Sequence, residues 1–383
     1  MTSIRFIAHF AFLVLAATPL AASAEDGVSK GEILIGMSNA LSGPSSALGT
    51  GMKAGAEAFF KKFNAGGGVN GRKVKLESLD DGYEPENTVK NTEKFINEKK
   101  VFALFGYVGT PTSVAVMPAV GKAKVPYVAP FTGAEAIRNP VNPQVFNVRS
   151  SYFDETEGLV DHFKNDLGIT KIGVFVQDDA YGAAGEAGVR RALSKRDLQM
   201  AGRGTYKRNT VDVDAGYAEV KKAAPDAVVL VGTYKACAAF AKKAKADGWK
   251  VKIANVSFVG TAALIKEMGK DGEGVFISQV MPSPWDTSVA VVKDYQRDMK
   301  AAGQNAFDYT SLEGYVGAKV LTEGLKGAGK EPTRDSFRSA MESMKFDVGG
   351  LEIAFSSSNH SGNNQVWLTA VKGGKAVPVT SFK

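Results

Sequence analysis

An α/β protein built from two successive parallel-sheet units, each flanked by helices, is what this sequence predicts. Three observations carry that expectation. Short apolar runs rich in β-branched residues alternate with helix-period stretches from Glu32 to Ala129, the pattern of strand–helix–strand crossovers that builds a parallel sheet. The alternation restarts at Lys171 and continues to Val280. A chain of 383 residues with 44% apolar content is too long for one ordinary core and sufficient for two.

Residues 1–24 stand apart from that pattern. Arg5 supplies a positive start, Phe6 to Leu20 is mostly apolar with His9 as its polar interruption, and Ala22-Ser23-Ala24 suits a small-residue cleavage site. This reads as a secretory signal peptide, too short for a membrane span, which places the mature chain, from near Glu25, in the periplasm. No Cys follows the apolar run, so nothing there suggests a lipid anchor. Cys237 is the single cysteine. It has no internal disulfide partner and sits among Ala236, Ala238 and Phe240, as a small buried hydrophobe would. The formal charge is +7 from 47 basic and 40 acidic residues, and losing Arg5 leaves +6. The lysines lie in scattered pairs such as Lys61-Lys62 and Lys242-Lys243, a solvated-face pattern that excludes a nucleic-acid stripe.

The first unit opens with a strand at Glu32–Met37 and a polar loop from Ser38 to Thr50 that contains Ser42. A helix follows to about Asn64, with Met52, Gly55, Ala56, Phe59, Phe60 and Phe63 at helical spacing. Gly66 to Gly71 is a turn. The strand Lys73–Leu79 ends in Asp80-Asp81-Gly82-Tyr83, and Asn87–Lys99 is a helix. Val101–Phe105 is a buried strand, after which Gly106 and Gly109 allow a sharp turn around Tyr107. Thr110 is expected to cap the next helix, with Pro111 as its first residue. With Thr112 and Ser113 it gathers hydroxyls and free N–H groups, an environment that favours an anion such as a carboxylate. Val125–Ala129 runs into Pro130-Phe131-Thr132-Gly133.

In the second unit, Lys171–Val176 ends at Gln177 to Gly182, which includes Tyr181, and a helix follows to about Lys195. Ala227–Val231 ends at Gly232-Thr233-Tyr234, and Lys252–Val256 at Ser257-Phe258. Gly274–Val280 is a strand. Pro282-Ser283-Pro284-Trp285 then breaks the pattern, as a crossing between lobes would. Helices at Ser288–Ala302 and Tyr309–Gly327 follow, then strands at Leu351–Phe355 and Gln365–Val371. Too few residues remain for a third domain, so these late elements complete the two lobes.

Ligands of open parallel sheets bind beyond the carboxyl ends of the strands. Those ends are rich here in hydroxyls, aromatics and glycines and poor in charge, which suits a small, partly polar solute between aromatic walls. Catalysis finds little support. His162 and His360 have no Cys or His neighbour at metal spacing. Asp80-Asp81 and Asp178-Asp179 read as loop caps. Gly324 to Lys330 nearly matches a phosphate loop, but Glu331 stands where a Ser or Thr should reach magnesium, and the stretch ends a helix. No serine lies in a nucleophile elbow. The expectation is therefore a binding protein without enzymatic activity, metal or cofactor.

The chain resembles, over its mature length, the type I periplasmic binding proteins of the leucine/isoleucine/valine-binding group, receptors of ABC importers. The motifs that carry the resemblance are Ile35 to Pro44, Asn64 to Gly71, Asp80-Asp81-Gly82-Tyr83, Asp179-Ala-Tyr-Gly182, Ser311-Leu-Glu-Gly-Tyr315 and Gly349 to Phe355. The resemblance implies two Rossmann-like lobes joined by a three-segment hinge, with crossings near Asn147, Val280 and Phe346. One lobe would be 25–146 plus 281–345, the other 147–280 plus 346–383. It implies a membrane permease as partner, no nucleic acid, and a monomer; a periplasmic ligand sensor is a second possibility of the same class.

In this family a hydroxyl and N–H groups after one strand hold an amino acid's carboxylate, and Thr110 occupies that place. Phe131, Thr132 and Gly133 would add contacts, with Tyr181 and Tyr234 on the opposite lobe. Two positions depart. Ser257 stands where amino-acid binders carry a Glu for the ligand ammonium, and Leu48 replaces an aromatic of the first loop. A buried charge without its partner costs on the order of 3–5 kcal/mol. Either Glu313 or Asp178 serves instead, or the ligand has no ammonium. The leading expectation is a branched-chain amino acid. The alternative is an aromatic or aliphatic carboxylic acid, which would suit Thr110, Tyr83, Tyr107, Phe131, Tyr181 and Phe258.

Overall fold

A computed structural model describes residues 25–383; the expected signal peptide lies outside the described residues. The first sheet has five parallel strands in the order β2-β1-β3-β4-β5. They are β1 (Glu32–Asn39), β2 (Lys73–Asp80), β3 (Ala103–Phe105), β4 (Tyr127–Val128) and β5 (Val145–Phe146). Their connecting helices are α1 (Ser46–Ala65), α2 (Pro85–Asn97) and α3 (Thr110–Ala123). All of β3 and β4 is buried, which explains why these strands read as unbroken apolar runs.

The second sheet has seven strands in the order β14-β13-β10-β9-β8-β6-β7. After α4 (Tyr152–Leu167) come β6 (Ile172–Gln177), α5 (Ala180–Ser194), β7 (Arg203–Tyr206), α6 (Asp214–Lys222) and β8 (Ala227–Val231). Then come α7 (Tyr234–Ala246), β9 (Lys252–Asn255), α8 (Thr261–Met268) and β10 (Phe276–Gln279). The chain returns to the first sheet with α9 (Ala290–Ala301), α10 (Tyr309–Gly327) and α11 (Arg334–Glu342). The hairpin β11 (Lys345–Asp347) and β12 (Glu352–Ala354) follows, before β13 (Trp367–Lys372) and β14 (Lys375–Val379) close the second sheet. β13 pairs antiparallel with both β10 and β14, whereas the pairs among β6 to β10 are parallel.

The sequence signals for β7, α6, α11 and β14 are weak, because these are short or largely solvated elements. The near-phosphate-loop stretch falls at the end of α10, where the helix stops at Gly327. His360 is a buried core residue. Its ring stacks 4.2 Å from Phe146, and Nδ1 lies 3.0 Å from the Val145 carbonyl.

The chain passes between the two sheets at the end of β5, after β10 and again after β12. Asn147 N donates to the His360 carbonyl at 2.9 Å and Gly362 N to the Asn147 carbonyl at 2.8 Å, so two of these segments run side by side. The β11–β12 hairpin is still on the side of the first sheet. Lys319 Nζ on α10 donates to the Val348 carbonyl at 2.7 Å, and Val291 N at the start of α9 donates to the Gly349 carbonyl at 2.9 Å.

Candidate functional site

The carboxyl ends of both sheets face one another across a cluster centred on Phe258, which is fully buried. Its ring centroid lies 4.5 Å from Tyr181, 5.3 Å from Phe131 and 6.2 Å from Tyr83. Tyr181 in turn lies 5.5 Å from Tyr152. Side chains from four strand-end loops and the start of α4 thus meet between the sheets. Tyr83 adopts φ +62°, a left-handed conformation that costs a non-glycine residue roughly 1–2 kcal/mol. It is held there by Asp81, whose Oδ1 accepts from Tyr83 N at 2.8 Å, and by Gln177 at the end of β6, whose amide donates to the Tyr83 hydroxyl at 3.3 Å.

Thr110 does not cap α3. The N-cap is Gly109 at φ +108°, and a Cβ there would lie 2.2 Å from the Tyr83 ring, so only glycine allows the approach. Thr112 instead bonds the carbonyls of Val108 and Gly109. The Thr110 hydroxyl is thereby released toward Thr132, 2.7 Å away. Thr132 donates to the Tyr152 hydroxyl at 3.4 Å. These three hydroxyls line the N-terminus of α3, whose first N–H groups favour negative charge. Gly133 matters by what it lacks. A Cβ would come within 2.6 Å of Tyr152 N, and the Gly133 carbonyl accepts from that N–H at 2.7 Å.

Of the other expected site residues, Tyr234 lies at the start of α7, where its hydroxyl accepts from Ala47 N at 3.4 Å. Ser257 is buried, and its backbone N–H and hydroxyl both donate to Glu155, at 2.7 and 3.1 Å. Two residues are not brought to the cluster. Ser42 is exposed, its N–H held by Asp80 at 3.2 Å. Tyr107 faces the core between α2, α3 and the sheet, 5.2 Å from Tyr127, and its hydroxyl accepts from Thr92. Its neighbour Gly106 has φ +64°, so the strand-to-loop turn sends Tyr107 away from the cleft.

The residue that sequence reasoning missed is Arg149. It is fully buried, with its guanidinium 4.8 Å above the Phe131 ring and 5.9 Å from Tyr152. Nη2 donates to Ser257 Oγ and to Glu155 at 3.3 Å. Nη1 lies 3.6 Å from Glu313. Glu155, on α4, also accepts from Ser278 at 2.6 Å, so its lone pairs are well used. Glu313, on α10, is different: among the described residues no hydrogen bond reaches its carboxylate, and Arg149 is its ion-pair partner. The one available signal for Arg149 is a single charge in an otherwise uncharged segment at an expected crossing.

Burial pushes the Glu313 carboxyl up to about 7, with Glu155 adding to the rise and Arg149 and Arg138 opposing it. An unfolded Glu titrates near 4.3. Between those values the folded protein keeps a proton that the unfolded chain releases, so this group's contribution to stability falls as pH rises through the window. The difference is up to about 4 kcal/mol. Urea unfolding at both ends of the window should show that Glu313→Gln flattens this component relative to wild type. Parallel pH profiles for the two chains would contradict the assignment.

A two-lobed α/β protein whose sheet ends meet at a cluster of hydroxyls and aromatic rings has the architecture of the class that captures small solutes. The chain is a member of the periplasmic binding protein family, whose profile matches residues 32–376. A solved structure, described as a possible leucine/isoleucine/valine-binding protein from Rhodopirellula baltica, is 32% identical, covers 94% of this chain and 98% of its own, and has a TM-score of 0.88. The Leu/Ile/Val-binding protein homolog 3 of Brucella melitensis is 23% identical over 86% of this chain and 87% of its own. A solute-binding protein of an R. palustris ABC transporter, solved in complex with benzoate, shares the fold. It is 21% identical with a TM-score of 0.82, covering 91% of this chain and 96% of its own.

Proposed function

We propose that this protein is the extracytoplasmic solute-binding component of an ABC importer and captures a small carboxylate-bearing solute by closing two lobes on it. The observation that carries this is the hydroxyl group of Thr110, Thr132 and Tyr152 at the start of α3, facing Tyr181 and Phe258 of the opposite sheet. No bond of the solute is broken. The closed surface is what a membrane permease recognises, and the working form is a periplasmic monomer. The relatives named for leucine, isoleucine and valine support an amino acid as solute. The benzoate complex of the R. palustris protein supports the alternative, an amine-free acid.

We divide the chain into lobes at 25–146 plus 281–355 and at 147–280 plus 356–383. This moves the third crossing from near Phe346 to near residue 356, and the contacts of Val348 and Gly349 with α10 and α9 support the change. Tyr83, Phe131, Thr110 and Glu313 then belong to one lobe, and Tyr181, Tyr234, Ser257 and Phe258 to the other, with Arg149 at the hinge.

A thermal-shift screen of the purified chain against aliphatic and aromatic amino acids and acids tests the proposal. A ligand at 100 times its dissociation constant adds roughly 2.7 kcal/mol to the folded state. Thr110→Ala should lower affinity about tenfold, the weight of one hydrogen bond to a charged group. Unchanged affinity in that variant would displace the carboxylate site. Chemical turnover of a bound solute would overturn the binding role.

A further inference from the structure

We propose that Arg149 reads the ligand, and that the cleft selects a carboxylic acid with a flat or branched apolar body and no α-ammonium group. This rests on the solute-binding role proposed above and narrows its substrate class.

The guanidinium of Arg149 is only partly satisfied. Arg149 is fully buried, yet its Nε and Nη1 have no hydrogen-bond partner among the described residues. Buried polar groups are nearly always paired, and a guanidinium is built to meet a carboxylate. These N–H groups lie beside Phe131 and Tyr152, the residues that also border the Thr110–Thr132–Tyr152 hydroxyls. A carboxylate between them would receive hydroxyl donors from one side and the guanidinium from the other. Its apolar body would then rest on Phe131, Phe258 and Tyr181.

An ammonium finds the opposite conditions. Arg149 donates to Ser257, the position that the resemblance aligns with an ammonium-pairing acid, so a positive charge already occupies the neighbourhood. Of the two nearby carboxylates, one is fully engaged and the other is held close to Arg149 in a buried setting. Glu155 accepts from Ser257 N and Oγ, Ser278 and Arg149. Glu313 faces Arg149 at 3.6 Å, and its own burial disfavours the ionised form. An amino acid entering here would bring its ammonium toward a cation, with Glu313, itself 3.6 Å from that cation, as the one carboxylate left to receive it.

Matched pairs test this on the unaltered protein. Titration calorimetry would compare leucine with 4-methyl-2-oxopentanoate and phenylalanine with phenylpyruvate, with benzoate as a fifth probe. The expected result is that at least one acid binds about 30-fold or more tighter than its amine twin, and that Arg149→Met weakens that acid by a similar factor. The ratio between twins should also shrink in the variant, which a purely structural role for Arg149 would not produce. Tighter binding of either amino acid than of its twin overturns the inference and leaves the solute-binding role standing. So does a folded Arg149→Met chain that keeps the wild-type ratio. If none of the five probes binds but a sugar, amide or peptide does, the acid-selective reading falls while solute capture survives. If Arg149→Met does not fold, the ratio between the wild-type pairs is decisive by itself.

Discussion

Gly55→Val should break the first lobe. Helices α1 and α10 pack along their lengths, and they do so at backbone distance. A Cβ on Gly55 would stand 1.7 Å from the Ser311 carbonyl oxygen and 2.9 Å from Tyr315 N. The approach is reciprocal, since a Cβ on Gly314 would stand 2.1 Å from the Met52 carbonyl oxygen. No side-chain rotation relieves a clash with backbone, so one helix must move. Overpacking of this severity costs about 3 kcal/mol or more, or roughly 4 °C or more in melting temperature for a protein of this size. The movement would also shift Glu313, two residues beyond Ser311, away from Arg149, so ligand affinity should fall with stability. Gly121→Ala on α3 is the control, because nothing lies within 4 Å of its added Cβ. A Gly55→Val chain that melts with wild type in calorimetry would refute the close-packed account.

Removing the contacts across the cleft mouth should speed ligand release. The loop after β7 carries Arg208 and Asn209. Asn209 adopts φ +58°, which asparagine tolerates better than most residues. That turn aims both side chains at the other lobe. Asn209 Nδ2 donates to the Gly82 carbonyl at 2.9 Å and to Glu84 at 2.8 Å. Arg208 meets Glu84 at 2.8 Å, and on its own lobe Asp179 at 3.0 Å. Ser45 donates to Asn209 Oδ1 at 3.3 Å. The Arg208–Glu84 pair is partly exposed, with side chains at 23% and 44%, so by itself it contributes at most about 1 kcal/mol. The Asn209 bonds are part-buried and form only when the lobes meet. Asn209→Ala with Glu84→Ala should therefore raise the dissociation rate about tenfold, with association nearly unchanged. Stopped-flow release kinetics measure this directly. Equal release rates in variant and wild type would show that these bonds do not hold the closed form. Added salt should narrow the gap only in part, because screening acts on the ion pair and spares the amide bonds.

Much of the architecture is legible in the sequence because it is local. Ala227–Val231 is an apolar β-branched run and forms β8 with those bounds. Tyr309–Gly327 has an aspartate before it and a glycine at its end, and forms α10. The site is less legible because its geometry is assembled from distant segments. Thr110 reads as a cap, but the true cap is a glycine whose special role depends on Tyr83, 26 residues earlier (109 − 83). Tyr107 and Phe131 carry the same chemistry in similar loops, yet a single positive φ at Gly106 sends Tyr107 into the core. Arg149 has no motif at all. Its meaning comes from Glu155 on α4, Glu313 on α10 and Ser257 after β9, three elements that no sequence window contains.

The sheet edges also dictate when this chain can finish folding. Strand β10 has its partner on one side early, as β9, but the other side is filled by β13, whose residues 367–372 come almost last. The glycine face of α1 likewise waits for α10, so Gly55 has no neighbour until Ser311 has been made. The first lobe cannot be completed before α10 has been made, nor the second before β13 has been made. Such long-range pairing slows folding and leaves apolar edges open meanwhile. For the extracytoplasmic protein proposed above, that delay is useful. It keeps the chain threadable until residues 367–372 have been made, because β13 is the segment that locks the second sheet.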